Sequence, residues 1–307
     1  MFWIVFLSLI HISNLQTIKT PEHEWDYGRE GPDTWPHRYE SCEGEAQSPI
    51  NIRTSHVKYD SRLTTPLVFS GYASNTSSIV WNFTHNGHTI VAHPPPLARL
   101  SMSGGGLPSD YYLVQFHLHW GYNAFQGSEH TIDGQKFPIE IHFVHRAAFT
   151  NSYAVFSILF ERQRDDNTHL NELLSILNRT VNTSVTIEQQ IDLSRIIPTA
   201  SPPKFYRYNG SFTTPPCTEG VIWTVLKRRI SISEYQHRAL MSNAIPFNFR
   251  PPQRLFSRTV YVNFKSEGHE GGEEEEGEGE GGHHSSASLK IAQLFLVFIS
   301  LIIHFRR

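Results

Sequence analysis

Short strand-like runs constrain this 307-residue chain more than any other feature, above all Tyr111–Trp120, Ile139–His145 and Tyr153–Phe160. In such runs successive side chains leave on opposite faces, and Gly, Pro, Asn and Ser mark their ends. Thr89–His93, Val221–Ile232 and Arg258–Phe264 read as further strands. Helical spacing occurs only at 168–178, where Leu170, Leu173, Leu174 and Leu177 share a face behind Thr168 as N-cap, and over 233–242. The expectation is a β-dominated α+β fold. One domain over 22–266 would be built on a large, mostly antiparallel central sheet with a few short peripheral helices.

The two ends differ from this middle. Phe2–Ile12 is an uncharged apolar run of signal-peptide length, so residues 1–18 read as a secretory signal. Residues 267–284 are a Glu/Gly stretch, eight of its first fourteen positions being Glu, and cannot build a core. They read as a solvated linker, with weak Ca2+ binding by the Glu cluster as the alternative. The apolar run Ile291–Phe305 follows small residues at 285–288 and is shorter than the roughly 20 residues a membrane span needs. Residues 285–307 therefore read as the removable signal for a glycolipid (GPI) anchor, a single-pass tail or plain secretion being the alternatives. The net charge of −3 conceals this division. Without the eight Glu and the tail residues Lys290, Arg306 and Arg307, 21 acidic and 23 basic residues remain. A slightly basic domain of this kind is no nucleic-acid binder. Two cysteines, Cys42 and Cys217, suit an oxidising compartment if they pair. The sequons at Asn75, Asn82, Asn178 and Asn182 are then glycosylation candidates on an extracellular, cell-surface protein.

Of eighteen histidines, three fall in a telling pattern. In Gln115-Phe116-His117-Leu118-His119-Trp120 the alternation turns His117 and His119 to one face. In Glu140-Ile141-His142-Phe143-Val144-His145 it turns Glu140 and His142 to one face. Three imidazoles from two strands suffice for Zn2+ with a fourth position open, the arrangement of a catalytic site. The same residues also suit an ordinary pair of hydrogen-bonded polar strands, and spacing does not separate these readings.

The surrounding sequence does. Gln47-Ser48-Pro49-Ile50-Asn51-Ile52, Asn86-Gly87-His88, Gln115–Gly121, Gly127-Ser128-Glu129-His130-Thr131, Glu140–His145 and Gly210-Ser211-Phe212-Thr213-Thr214-Pro215-Pro216 occur in that order. Together they make the chain, from about Trp25 to Phe264, resemble the α-class carbonic anhydrases of the extracellular or membrane-anchored type. The resemblance implies a zinc lyase that hydrates CO2 to bicarbonate and a proton by attack of a zinc-bound hydroxide. His117, His119 and His142 would hold the zinc. Gln115, Glu140 and a backbone carbonyl near Asn248 would orient them. Thr213, bonded to Glu129, would align the attacking oxygen. His88 would shuttle the proton along water ordered by Tyr27 and Asn86. Val144, Val155, Phe212, Thr214, Val221 and Trp223 would form the CO2 pocket, and sulfonamides would bind at the metal. The same resemblance implies a Cys42–Cys217 disulfide.

Two departures stand out. Phe212 replaces the family's usual Leu at the pocket mouth, and Val91 replaces a hydrogen-bonding residue near the shuttle. Both predict an active enzyme slower than the fastest relatives. A metal-free binding module is the alternative, and the presence of all three histidines, Glu129 and Thr213 speaks against it. Ester hydrolysis is expected only as a side activity.

Overall fold

In the computed structural model, residues 25–265 are described, except 73–78, 96, 182–186, 194–195, 198–202 and 242–245. The expected signal, linker and anchor segments lie outside them, as do Asn75 and Asn182. Among the described residues no helix is long and apolar enough to cross a membrane.

Tyr111–Trp120 sits inside a 13-stranded sheet. Its path runs Ile187–Gln190, Val80–His85, Ile90–His93, Tyr111–Trp120, Ile139–Ala147, Tyr153–Gln163, Glu219–Leu226, Phe205–Ser211, Tyr261–Val262 and Lys58–Tyr59. Pairing is antiparallel from Ile187–Gln190 through Tyr153–Gln163. Three pairings in the sheet are parallel: Tyr153–Gln163 with Glu219–Leu226 and with Ile230–Ser233, and Tyr261–Val262 with Lys58–Tyr59. A β-dominated domain with a large, mostly antiparallel sheet is what the residue pattern led us to expect.

Cross-strand register sorts the side chains into rows. Phe116 lies opposite Phe143, and Phe143 opposite Phe156, all fully buried. One position along, His117 lies opposite His142, and His142 opposite Ser157. The phenylalanines belong to a core that the helix Asn171–Val181 closes with Leu173, Leu174, Ile176 and Leu177. On the histidine side a second core gathers Val144, Val155, Tyr208, Val221 and Trp223. Each buried Phe is worth about 1.5–3 kcal/mol, so three together rival the few kcal/mol by which domains are stable.

Several local expectations change. Tyr111–Trp120 is not one regular alternation, because a register shift falls between Leu113 and Gln115. Burial runs through Tyr111 and Leu113, then through Phe116, Leu118 and Trp120. The extra residue re-aims the strand, so that Leu113 and Phe116 both face the first core, as bulges do. The expected strand Val221–Ile232 is two strands, Glu219–Leu226 and Ile230–Ser233. The break falls at Lys227-Arg228-Arg229, three consecutive cations that cannot be buried in a sheet. Arg258–Phe264 contracts to Tyr261–Val262. Helix onset moves too: Asn167, not Thr168, caps the 3-10 turn Thr168–Leu170 by accepting from the His169 N–H. The helix Glu234–Met241 begins with a capping box, Ser233 Oγ accepting from Gln236 N–H and Gln236 Oε1 from Ser233 N–H.

The N-terminal lead is tied to the loop at 246–252 by Arg250, which is 1% exposed. Its guanidinium donates to Gln47 Oε1 and to the carbonyls of Ser48 and Cys42. Cys42 and Cys217 form a disulfide across 175 positions of sequence, worth on the order of 5 kcal/mol in the chain-entropy description. Of the described sugar candidates, Asn82 is exposed and Asn178 half-buried.

Candidate metal centre

The register that pairs His117 with His142 also sets His119 opposite Glu140. Side chains directly opposite across antiparallel strands have Cβ atoms about 4.5–5.5 Å apart, so three imidazoles converge. Their ring centroids lie 4.9, 5.2 and 4.6 Å from one another, and one nitrogen of each lies within 4.8 Å of the others.

The opposite nitrogen of each ring is committed. His117 Nδ1 meets Gln115 Oε1 at 2.9 Å, His119 Nδ1 meets the Asn248 carbonyl at 2.6 Å, and His142 Nε2 meets Glu140 Oε1 at 2.8 Å. Each contact is satisfied by a ring N–H donating outward, which turns the lone pairs of His117 Nε2, His119 Nε2 and His142 Nδ1 toward a common centre. Burial lowers the pKa of all three, that of His119 to about 4. They are therefore neutral at pH 7, the form that binds metals. The contact of His142 with Glu140 is therefore a hydrogen bond from a neutral ring, not an ion pair.

Glu140 is the anchor. Its Oε2 accepts from the N–H groups of Glu129 and His130, and its Oε1 faces His130 Nδ1, His142 Nε2 and Ser157 Oγ. Burial pushes this carboxyl up, but its hydrogen bonds with His130 and His142 hold it well below the usual range. The loop that carries Glu129 runs tight against the start of the same strand. A Cβ on Gly127 would stand 1.8 Å from the Pro138 carbonyl oxygen.

Glu129 is the converse case. It is fully buried and desolvation pushes it up to about 7, against the opposing pull of His142 and the Arg250 N–H. Its Oε1 accepts from Arg250 N–H at 2.8 Å. Its Oε2 has no hydrogen-bond partner and lies 3.4 Å from His119 Nε2 and 3.8 Å from His142 Nδ1. A buried carboxylate oxygen aimed at two inward-facing nitrogens 3.1 Å apart fits a cation held between those nitrogens. Tetrahedral Zn–N bonds of about 2.0–2.1 Å set nitrogens about 3.3 Å apart. Three neutral imidazoles are a donor set that zinc favours.

Around this centre, Val144 faces Val155 and Val155 faces Trp223 across the sheet. With Val221 they form one apolar wall. Phe212 lies partly buried at its edge, edge-on to Tyr153 at 5.0 Å. The Thr214 carbonyl accepts from Cys217 N–H, closing the turn that bears Thr213. His88 is half-buried with its ring stacked on Trp25 at 3.7 Å. Tyr27 packs edge-on to Trp25 and Trp35, its phenol held protonated first by burial and then by the Glu129 charge. Asn86 Oδ1 accepts from the N–H groups of His88 and Thr89, which fixes the turn that carries His88.

Sequence reasoning left several residues without a role. His130 bridges Glu140 and the Tyr208 hydroxyl, each at 2.6 Å, and Tyr208 meets Ser48 Oγ at 2.8 Å. His130 stood in a quoted motif beside Glu129, which was the available signal. Arg250, whose N–H holds Glu129 from 121 residues away, had none.

Comparison with known proteins agrees with this geometry. The family model for eukaryotic-type carbonic anhydrases matches residues 30–264. Carbonic anhydrase 7 of Homo sapiens is 35% identical over 270 residues, covering 80% of this chain and all of that protein. Carbonic anhydrase 12 of Homo sapiens is 33% identical, covering 78% of this chain and 73% of that protein. Carbonic anhydrase 6 of Mus musculus is 31% identical, covering 84% and 87%. A buried cluster of three imidazoles on two registered strands, within a match that spans nearly the whole described domain, leads to one conclusion: the chain belongs to the eukaryotic-type carbonic anhydrase family.

Proposed function

We propose that this carbonic anhydrase hydrates CO2 at the cluster of His117, His119 and His142, with these three imidazoles holding Zn2+. The observation that carries the reading is the inward turn of three neutral imidazole nitrogens, each fixed from behind by Gln115, the Asn248 carbonyl or Glu140. Zinc supplies hydroxide at neutral pH by lowering the pKa of a water to about 7, a value established for this enzyme family and not obtained from this chain.

The chain's own groups do the rest. Glu129, whose Oε2 has no hydrogen-bond partner, would accept the Thr213 hydroxyl proton in a hydrogen bond, which would leave the Thr213 oxygen to accept one bond from the attacking oxygen. That bond aims a lone pair at the apolar wall of Val144, Val155, Val221 and Trp223, where CO2 settles without losing hydrogen bonds. Glu140, saturated by donors, stays ionised and keeps His142 in one tautomer. His88 carries away the proton released in each turnover, imidazole being the side chain that titrates near neutral pH. Tyr27, kept as a phenol, offers a neutral donor and acceptor to water on that path. Sulfonamides are the matching inhibitors.

CO2 hydration by the purified chain is expected to disappear on zinc chelation, return with stoichiometric zinc and be blocked by a sulfonamide. Activity indifferent to chelation would overturn the assignment. Phe212→Leu relieves crowding at the pocket mouth and should raise kcat by about threefold or more, roughly 0.7 kcal/mol of barrier. An unchanged kcat in stopped-flow assays would remove crowding as a cause.

The extracellular, anchored placement rests on the Cys42–Cys217 bridge and on the small residues and apolar run of 285–305. A phospholipase that cuts glycolipid anchors should release the enzyme from intact cells. Retention on the cell after that treatment would contradict the anchor.

A further inference from the structure

Two adjoining cavities lie where residues 51–63 and 253–261 meet, the smaller also reaching Arg207–Asn209 and Ile222, and they share Arg258 and Thr259 in their walls. None of the histidines of the metal centre lines either of them. The larger, about 540 Å3, is lined by Arg53, Lys58, Arg254 and Arg258 and by no carboxylate. The smaller, about 460 Å3, adds Arg62 and Arg207 and contains one acid, Asp60.

The nearby acids already have partners, Asp60 within the smaller cavity itself. Asp60 pairs with Arg62 at 2.7 Å. Asp133 accepts from the Thr54 N–H and hydroxyl. Glu219 accepts from the Ala46 N–H and from Gln47. Arg258 is held by the carbonyls of Leu255, Asn209 and Arg254, which fix its position without cancelling its charge. Arg207 is only 7% exposed, donates from Nε to Thr224, and has a buried Nη2 with no partner. Such a donor costs free energy until an acceptor reaches it.

A further feature selects among anions. Phe256, in the wall of the larger cavity, holds φ at 49° and is 47% exposed, with the Arg254 guanidinium 4.7 Å over its ring. The left-handed region is unfavourable for a bulky side chain, and strain of this kind collects at ligand sites. It presents an aromatic face to solvent among cations. Inorganic phosphate has no use for that face, whereas a pyranose ring packs its C–H face against one.

We propose that this pair of cavities binds a sulfated polysaccharide, its sulfates meeting Arg53, Lys58, Arg254 and Arg258 and one sugar ring lying on Phe256. The disulfide places the chain in an oxidising compartment, where sulfated glycans are the abundant linear polyanions. The site is separate from the metal centre and does not depend on the zinc assignment.

The test is calorimetry on the full-length protein with a heparin-derived octasaccharide at about 150 mM NaCl. Measurable affinity is expected, and it should weaken tenfold or more in the double variant Lys58→Glu/Arg254→Glu, with CO2 hydration unchanged. Phe256→Gly should also weaken the octasaccharide several-fold while leaving Tm equal or higher. Should the double variant misfold, Arg254→Gln alone, expected to lose several-fold, takes its place. No octasaccharide binding, equal affinity in the variants, or competition by inorganic sulfate at the same sulfate concentration would overturn the proposal. So would binding to phosphatidylserine vesicles in place of the octasaccharide.

Discussion

The register between Tyr111–Trp120 and Ile139–Ala147 is the constraint on which the rest of the molecule depends. It sets Phe116 against Phe143 on one face and His117 against His142 on the other. A slip of one residue would exchange the faces, pushing phenylalanines toward the pocket and imidazoles into the core. The buried row Phe116, Phe143 and Phe156 makes that slip cost about 5–9 kcal/mol, as much as many domains have in total. Hydrophobic packing on one face therefore supplies the positional accuracy of the polar cluster on the other.

The polar face is organised by two buried carboxylates in opposite states. Glu140 gathers donors from its own strand, the loop before it and the neighbouring strand, and is held low. Glu129, with one oxygen unpartnered, is pushed up to about 7. A cation between His119 and His142 would lower it and favour the ionised form that Thr213 needs. The histidines, made neutral by burial, are the third part of the set. Neutral imidazoles, one anchored anion and one sensitive to the central charge together make a site whose electrostatics close only around a cation.

Much of this was legible in the amino-acid order, because alternation assigns faces. That His117 and His119 share one face of their strand, that Glu140 and His142 share one face of theirs, and that the leucines at 170–177 have helical spacing follow from periodicity alone. The bulge after Leu113 was visible as a change of phase from odd to even buried positions, yet the segment reads as one strand until its partner is seen. The break at Lys227–Arg229 was hidden by the apolar residues on both sides. Long-range polar contacts left no local trace: the Asn248 carbonyl reaches His119 across 129 residues.

X-ray absorption at the zinc edge of the purified chain tests most directly the proposed binding of one zinc ion by three imidazoles on two registered strands. One zinc per chain is expected, with three imidazole nitrogens at about 2.0–2.1 Å and no sulfur, and that zinc should be lost in a folded His142→Asn variant. A ligand shell of carboxylates or sulfur, or zinc content unaffected by the substitution, would contradict it.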